Sequence, residues 1–238
     1  MKKAPISVEL IGHLGSDLDV VNAARVSFNK ESGWDFGPSG TLDAGTKFLS
    51  MNDTKLVKYL ADHQHWSPFS HCFVRFRIKA PIFVARQLQK HTVGLAWNEV
   101  SRRYVDFEPE FYMPEGWRKR SNNAKQGSDD AMVMGSENYQ LAVDRYVSHL
   151  VSLYSGMIGG GICPEQARMI LPQNMMTEWW WSGSLYAFVR VCKLRLDSHA
   201  QRETREVAEG IAEHLAQLFP VSWGALMEDS KEGEEKCL

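Results

Sequence analysis

The sequence contains few cysteines, and none of them lies in a recognisable motif. Its 238 residues include only Cys72, Cys163, Cys192 and Cys237, and no C-x-x-C pair occurs. Structural zinc sites and thiol redox centres usually need closely spaced cysteines, so both kinds of site are disfavoured. A reduced protein of the cytoplasm is the simplest interpretation of this cysteine usage.

Long apolar runs and an excess of one charge are also missing. No apolar run approaches the roughly 18 residues that a membrane-spanning helix needs. No long apolar segment follows the N-terminal Met1-Lys2-Lys3-Ala4-Pro5, so we expect no signal peptide. The formal net charge is -2, whereas proteins that bind nucleic acids are usually basic overall. We therefore expect association with neither membranes nor nucleic acids.

Three familiar fingerprints are absent as well. The sequence has no G-x-G-x-x-G and no G-x-x-x-x-G-K, so neither a dinucleotide-binding turn nor a P-loop is indicated. Ser101 is not flanked by the glycines of a G-x-S-x-G nucleophile elbow. A nucleophilic Ser101 with His91 as its base remains an alternative, although nothing in the sequence pairs the two residues.

The composition is typical of a globular protein, and we predict one domain over residues 1–238. Hydrophobic residues make up 44% and charged residues 24% of the chain. The clearest element is a strand over residues 71–79, because Cys72, Val74, Phe76 and Ile78 alternate with mostly basic side chains. A second strand is predicted over residues 7–14, and helices over residues 17–27, 54–63, 81–90, 139–154 and 201–218.

Finer features of these elements can also be predicted. Asp17 or Ser16 is placed to cap the first helix, and Asn52 or Asp53 the second. The helix over residues 139–154 would turn Ala142, Tyr146, Leu150 and Leu153 towards the core. Residues 118–137 are polar enough for a surface excursion, and the acidic tail over residues 228–238 is expected to fray.

Polar side chains are densest between Arg86 and Tyr104, at a predicted helix end and the loop beyond it. The stretch gathers several cations, one histidine and many hydrogen-bonding groups with few apolar residues between them. Arginine suits phosphate because its planar fork donates two parallel hydrogen bonds. The stretch therefore predicts a site for a phosphorylated ligand such as a nucleotide. The alternative is a solvated basic turn.

Three other groups of residues have both a functional and a structural interpretation. His63, His65 and His71 could hold a metal, but their spacing matches no common zinc pattern, and we expect no metal. Arg168 either binds a distant anion or forms a salt bridge with one of the 29 acidic residues. The run Trp179-Trp180-Trp181 is more typical of core or subunit packing than of a flavin stack.

Several motifs, in the same order along the chain, resemble those of the flavin-dependent thymidylate synthases. The signature of that family is R-H-R, a short spacer and S-x-N-E-x-S-x-R-Y. The matching segments are Ala24-Arg25-Val26-Ser27, His65–His71, Lys79–Gln87, Asn98–Tyr104, Ala167–Pro172 and Leu194–Gln201. The resemblance covers most of the chain from about Val20 to about Pro220.

The sequence departs from the family pattern in the first half of the signature. Lys90-His91-Thr92 stands where the family has R-H-R, and Ala96 stands where a serine is expected. The spacer before Asn98-Glu99 is one residue longer. Lys90 keeps a positive charge without the fork of arginine, and Thr92 has no charge.

The resemblance implies an α+β fold, with a central antiparallel or mixed sheet and flanking helices, in a homotetramer with shared active sites. It implies FAD-dependent reductive methylation of dUMP to dTMP, with methylene-tetrahydrofolate as carbon donor and NADPH as reductant. Hydride from the reduced flavin would complete the methyl group, so no cysteine nucleophile is needed. The alternative is a non-catalytic nucleotide- or RNA-binding module that uses the same basic loop.

The resemblance also implies roles for individual residues. Arg103 would be catalytic, facing the uracil carbonyls. The residues implied for dUMP binding are Gln87, Glu99, Ser101, Arg102, Arg103, Arg168 and Arg195. Those implied for FAD binding are Ser27, His65, Ser67, Lys90, His91, Glu99, Ser184 and Arg190.

Overall fold

The computed structural model describes residues 1–37, 45–121 and 128–228, with only the backbone described for residues 128–130. The strands of this part are β1 (Lys2–Lys3), β2 (Ser7–Leu14), β3 (Asp35–Phe36), β4 (Lys47–Phe48), β5 (Phe73–Pro81), β6 (Leu95–Glu99), β7 (Glu110–Phe111), β8 (Arg118–Arg120), β9 (Ser128–Met132) and β10 (Met176–Ser184). Its helices are α1 (Asp17–Arg25), α2 (Met51–Asp62), α3 (Ile82–Leu88), α4 (Ser136–Gly159), α5 (Pro164–Ala167), α6 (Leu185–Arg195), α7 (Arg202–Leu218) and α8 (Pro220–Met227). Short 3₁₀ turns are formed by Val26–Phe28, Pro68–Ser70 and Arg168–Ile170.

Four strands form the central sheet in the order β2-β5-β10-β6, and each neighbouring pair is antiparallel. The longest pair joins β5 and β10, from Met176 opposite Pro81 to Ser184 opposite Phe73. Both strands are rich in aromatic side chains, which favour the pleated surface of a sheet. The arrangement confirms the predicted α+β class with a central antiparallel sheet.

The core lies on one face of this sheet, as the alternation in β5 predicted. Val74, Phe76 and Ile78 are buried, whereas Arg75 and Arg77 are exposed on the opposite face. Phe188 of α6 meets the ring of Phe76 edge to face, with 5.1 Å between the ring centroids. Burying a side chain of this size stabilises the fold by about 2–3 kcal/mol relative to exposure.

The tryptophan run forms part of β10, so its side chains alternate between the two faces. Trp179 and Trp181 are buried, and Trp180 is exposed. Trp97 of β6 stacks on Trp179 at a centroid distance of 4.3 Å, and Trp181 meets Phe188 edge to face. The prediction that the run serves packing is therefore confirmed for its two outer members.

Asp17 caps a helix, but not the one that the sequence suggested. Its carboxylate accepts hydrogen bonds from the backbone N–H groups of Val221 and Ser222, both at 2.9 Å, in the first turn of α8. These N–H groups have no partner within their own helix, so the contact joins α1 to α8. Ser16 is the N-cap residue of α1, although its hydroxyl donates to Asp19 and not to the backbone. The sequence did not predict α8.

Two predicted element boundaries were wrong. Helix α2 begins at Met51, and the Ser50 hydroxyl accepts the N–H of Asp53 at 3.1 Å, so neither Asn52 nor Asp53 is the cap. Helix α3 ends at Leu88, and Leu95–Glu99 is an edge strand paired with β10. Glu99 is thus held by a sheet and not by a loop.

Helix α4 turns a different face to the core from the predicted one. Tyr146 is 70% exposed and Leu153 is 47% exposed, whereas Val147 and Tyr154 are buried. Apolar residues lie on more than one side of this helix, so periodicity alone did not identify the buried side.

In the segment 118–137, predicted as a surface excursion, strands β8 and β9 pair antiparallel, and α4 begins at Ser136. Positions 122–127 of this segment, and positions 229–238 of the predicted frayed tail 228–238, lie outside the described residues. Across residues 1–37, 45–121 and 128–228, every helix is too short or too polar to cross a bilayer.

Candidate functional site

A cavity of about 360 Å³ lies where β6 ends and β10 begins, and we name it the strand-end cavity. The charged and polar residues around it come from four parts of the chain. They include Lys79, Glu99, Arg102, Glu110, Arg168 and Glu178. Glu99, Arg102 and Arg168, three of the residues predicted to bind dUMP, thus share one cavity.

Most of the charges around the strand-end cavity are paired with one another. Glu110 forms ion pairs with Lys2, at 2.7 Å, and with Lys79. Hydrogen bonds from Lys2 and Lys79 lower the pKa of the Glu110 carboxyl, so it is charged at neutral pH. Glu178 accepts from Arg77 at 2.7 Å. These pairs leave Arg102 and Arg168 as the positive charges available in the cavity.

Arg102 is the buried cation of the strand-end cavity, with only 6% of its surface exposed. One terminal nitrogen donates to the Phe107 carbonyl at 2.8 Å, and the guanidinium lies 4.6 Å from the Phe107 ring centroid. A second ring, that of Tyr154, lies 5.9 Å from it. Within the described residues, no carboxylate forms an ion pair with Arg102. A buried charge is costly without an opposite charge, so this position is suited to an anionic ligand.

Glu99 is held by two neutral donors. The Thr177 hydroxyl donates to one carboxylate oxygen at 2.7 Å, and the Trp97 indole N–H donates to the other at 3.2 Å. Neither donor cancels the charge. Glu99 can therefore accept further hydrogen bonds from N–H or O–H groups of a ligand.

Arg103 and Ser101 lie beside Arg102 but face outwards. The Arg103 Nε donates to the Ser101 Oγ at 3.2 Å, and its guanidinium lies 4.9 Å from the Tyr104 ring centroid. The Ser101 hydroxyl contacts this arginine and not His91. The structure therefore gives no support to the Ser101–His91 nucleophile alternative.

A larger cavity, of about 850 Å³, lies between the end of α1, helix α2 and residues 64–68, and we name it the helix-loop cavity. Ser27, His65 and Ser67 all line it, so the structure brings together three of the residues predicted to bind FAD. The exposed indole of Trp66 adds an aromatic surface.

An arginine in the wall of the helix-loop cavity is tied to a buried carboxylate. Arg25 donates from two nitrogens to Asp53, at 3.0 and 2.5 Å. The hydroxyls of Ser32 and Ser50 donate to the same carboxylate. Burial alone would raise the pKa of Asp53, but the bonds from Arg25, Ser50 and Ser32 outweigh it and lower the pKa.

The other predicted site residues lie apart from these two cavities. Arg195 donates from Nε to the Nε2 of His91 at 3.1 Å. Gln87 is bonded to Gln201 and Thr204. Ser184 is buried and its hydroxyl accepts the N–H of Ala187, which makes it the cap of α6. Lys90 is exposed, and Arg190 lines a small cavity shared with His65 and Trp66.

The three histidines weighed as metal ligands do not form such a site. Through residues 1–37, 45–121 and 128–228, no group of three or more histidine, cysteine or acidic side chains could hold an ion. The His63 ring lies 6.3 Å from that of His65, and its Nδ1 is 2.9 Å from the Tyr59 carbonyl oxygen.

Comparison with known proteins agrees with the motifs. The family model described as "Thymidylate synthase complementing protein" matches residues 9–221. A flavin-dependent thymidylate synthase of Thermus thermophilus is 37% identical over 227 residues, which is 95% of this chain and 77% of that protein. The chain belongs to the flavin-dependent thymidylate synthase family. A second member, from Kosmotoga olearia, is 34% identical, with 97% of this chain and 96% of that protein covered.

Solved structures extend the likeness to the fold. The UMP/dUMP methylase PolB from Streptomyces cacaoi, bound with 5-Br dUMP, matches with a TM-score of 0.78 and 29% identity. The match covers 94% of this chain and 96% of PolB. Another PolB structure, bound with 5-Br UMP, has a TM-score of 0.79.

Three residues that contact the charged groups of the two cavities were not predicted from the sequence. Phe107 stacks on Arg102, Thr177 fixes Glu99, and Asp53 holds Arg25. Each partner is far along the chain or belongs to a common residue type. Only the spacing of Phe107, five residues after Arg102, gave any local signal.

Proposed function

We propose that the protein converts dUMP to dTMP, with methylene-tetrahydrofolate as carbon donor and NADPH as reductant. The family is that of an enzyme, a methyltransferase that depends on a flavin. This membership favours catalysis over the alternative of a non-catalytic nucleotide- or RNA-binding module.

The observation that carries the proposal is the buried Arg102, which has no carboxylate partner among the described residues. A nucleotide phosphate would supply the missing negative charge and accept hydrogen bonds from the arginine fork. Arg168 lines the same cavity and is exposed, with its Nε on the Glu165 carbonyl at 3.2 Å. Its terminal nitrogens are thus available for the same anion.

The base and sugar of the nucleotide need different partners. Glu99 would accept from a ribose hydroxyl or a base N–H, because its own donors are neutral. We propose Arg103 as the group that faces the uracil carbonyls. Activation of C5 as a carbon nucleophile places negative charge on those oxygens, and a fixed donor there is typically worth about 3–4 kcal/mol. Ser101 would position this arginine through its 3.2 Å hydrogen bond.

The helix-loop cavity fits part of a flavin nucleotide. Its volume of about 850 Å³ lies within the range of cofactor pockets. Ser27, Ser67 and His65 offer hydrogen-bonding groups for phosphate and hydroxyl groups, and Trp66 offers a face for a flat ring. A reduced flavin supplies hydride to the transferred one-carbon unit. The predictions that Lys90, Ser184 and Arg190 bind FAD, and that Gln87 and Arg195 bind dUMP, stand as part of this proposal.

The three cysteines among the described residues support a reaction without a thiolate nucleophile. Burial raises the pKa of Cys72 and of Cys192 to about 12 in each case. Both are therefore protonated at neutral pH and shielded from a substrate. Cys163 is exposed, but it does not line the strand-end cavity.

We also propose that the active site is completed by other copies of the chain in a homotetramer. The strand-end and helix-loop cavities have no lining residue in common. Several large apolar side chains of α4 are exposed, including Tyr139, Leu141 and Tyr146. Burying such side chains between subunits would stabilise an assembly.

A cytoplasmic location stays a prediction from the cysteine usage.

The decisive experiment is a complete reaction under anaerobic conditions. The purified protein is loaded with FAD and mixed with NADPH, methylene-tetrahydrofolate and dUMP, and dTMP is measured by chromatography. We expect dTMP only when all four are present. A parallel reaction with UMP tests the substrate sugar, because PolB was solved with analogues of both nucleotides. Failure of FAD to bind, or binding of dUMP without dTMP formation, would refute the proposal.

Sedimentation analysis of the same sample tests the tetramer.

A further inference from the structure

A hydrogen bond joins Arg195, at the end of α6, to His91, which lies 104 residues earlier in the chain. The Arg195 Nε donates to the His91 Nε2 at 3.1 Å. An imidazole nitrogen can accept only when it carries no proton. His91 must therefore be neutral in this arrangement, with its proton on Nδ1.

The backbone around His91 holds the ring firmly in place. The His91 N–H donates to the Leu88 carbonyl at 2.9 Å, which closes a turn directly after α3. Gly94, with φ of +75°, lies so close to α6 that an added Cβ would be 3.1 Å from the Ala187 Cβ. The segment 91–94 thus contacts α6 near both of its ends. The position of the imidazole is set by two helices and not by a free loop.

The charges that act on His91 favour the neutral ring. Burial first, and then the positive charges of Arg195 and Arg190, lower its pKa below the usual 6.5. Both arginines belong to α6, and exposed Lys90 precedes the histidine in its own segment. All three neighbours are cations. The ring is consequently an acceptor at neutral pH and becomes protonated only in acid.

A neutral hydrogen-bond acceptor leaves the positive charge of an arginine in place, whereas a carboxylate neutralises it. Asp53 neutralises Arg25 with two hydrogen bonds, whereas His91 takes one hydrogen bond from Arg195 and leaves its charge intact. Within the described residues, Arg195 makes no other hydrogen bond or ion pair. Its two terminal nitrogens, which form the end of the guanidinium fork, are therefore available to a ligand.

We propose that His91 is a positioning residue: its Nε2 lone pair fixes Arg195 so that the terminal nitrogens bind the nucleotide. The inference rests on the proposed function, in which Arg195 contacts dUMP. Because Arg195 does not line the strand-end cavity, it would contact nucleotide bound by another copy of the proposed homotetramer. The inference gives His91 a role different from the flavin contact that the family resemblance implied. It also explains how a site can keep a half-buried arginine both rigid and fully charged.

Equilibrium binding of dUMP by calorimetry, with the FAD-loaded protein at pH 8, tests this role. His91→Phe keeps a ring without a lone pair, and we expect it to weaken dUMP binding about tenfold. His91→Gln can place an amide oxygen near the Nε2 position, and we expect binding within about threefold of the wild type. His13→Phe, at the exposed end of β2, is the matched control and should change nothing.

A double-mutant cycle with Arg195→Ala separates positioning from a direct contact. If His91 acts through Arg195, His91→Phe should change dUMP affinity by less than about twofold once Arg195 is alanine. Additive effects would overturn the inference. Loss of bound flavin in His91→Phe, measured by absorbance, would also overturn it and would assign His91 to the cofactor.

The pH dependence gives a further readout. As pH falls below 6.5, the wild type should lose dUMP affinity more steeply than His91→Gln, because the protonated ring cannot accept from Arg195. The glutamine variant corrects for protonation of the dUMP phosphate itself. An affinity that rises in acid relative to this variant would mean that His91 acts as a cation towards the phosphate, and the inference would fail.

Nitrogen NMR of the folded protein tests the geometry without any reaction. We expect the His91 ring to be the Nδ1–H tautomer at pH 8.

Wild-type protein that binds dUMP but forms no dTMP would refute the proposed function and leave the binding cycle intact as a test of His91. The two failures are therefore distinguishable.

Discussion

The strand-end and helix-loop cavities each have an arginine in the wall, but the surroundings of Arg102 and Arg25 are opposite. Arg25, in the helix-loop cavity, is paired with the buried carboxylate of Asp53, which also accepts from two serines. Arg102, in the strand-end cavity, is buried between aromatic rings with a carbonyl as its hydrogen-bond acceptor. The first arginine supports the fold, whereas the second is left for an anion. Both arginines lie in a cavity wall, so it is the partner of each arginine that indicates its role.

The largest effect should follow from breaking the Arg25 pair. Asp53→Ala removes the carboxylate and leaves Arg25 without its partner, so we expect a loss of about 3–5 kcal/mol in the free energy of unfolding. Urea denaturation measures this loss. Asp62→Ala, on the exposed end of the same helix, should stay within about 0.5 kcal/mol. Equal effects of the two substitutions would mean that the Arg25 pair does not stabilise the fold.

Arg103 should affect the chemical step more than binding. Arg103→Ala removes the donor proposed for the uracil carbonyls, and we expect kcat to fall about 10²–10³-fold. Steady-state kinetics with dUMP measures it, and Arg103→Lys should recover part of the rate. A change confined to KM would place Arg103 on the phosphate instead.

Arg102 should affect substrate affinity without harming stability. Arg102→Met keeps the apolar stem between Phe107 and Tyr154, and we expect the Kd for dUMP to rise about 10–100-fold. The free energy of unfolding should not decrease, because the substitution removes a buried charge that has no carboxylate partner among the described residues. Arg75→Met, on the exposed face of β5, is the control for both measurements.

A smaller effect is expected from the neutral donors of the helix-loop cavity. Ser67→Ala should weaken FAD binding about 2–10-fold, the range for loss of one neutral hydrogen bond. Titration of flavin fluorescence measures the affinity. Ser152→Ala, in α4, makes the same change away from the cavity. If both variants bind FAD like the wild type, Ser67 does not contact the cofactor.

The cysteine substitutions should have the smallest effect on chemistry. Cys72→Ala, Cys163→Ala and Cys192→Ala should each form dTMP at a rate within about threefold of the wild type, because the proposed reaction has no thiolate nucleophile. Flavin content and the melting temperature confirm that each variant is folded. Complete loss of dTMP in a folded, flavin-bound variant would overturn the hydride mechanism.

The sequence predicted some elements well because their burial pattern is local. Alternation in β5 identified Val74, Phe76 and Ile78 as buried, and the 3.6-residue period predicted the helix α7, in which Val207, Ile211 and Leu215 are buried. It failed for α4, where Tyr146 and Leu153 are exposed. Apolar residues on that helix serve more than one surface, so the pattern alone was ambiguous.

The candidate site could be predicted only in part for a similar reason. The motifs predicted Glu99, Arg102 and Arg168 as site residues, and the structure brings these three to one cavity. The motifs did not show that Glu99 lies on an edge strand, or that Arg102 and Arg103, adjacent in sequence, face a cavity and the solvent respectively. The direction in which a side chain points from an irregular segment depends on contacts with residues that are distant in sequence.

The sequence alone determined the family, the strands β2 and β5, and the residue types available for chemistry, since these follow from motifs and short-range periodicity. The tertiary structure alone decided which charges neutralise each other. Asp53 pairs with Arg25, and Glu110 pairs with Lys2 and Lys79, whereas Arg102 has no carboxylate partner in the part of the chain that the structure describes. Charged side chains pair through space over a few ångströms, and the partners are up to about a hundred residues apart in sequence. A local sequence pattern therefore cannot show which charges pair.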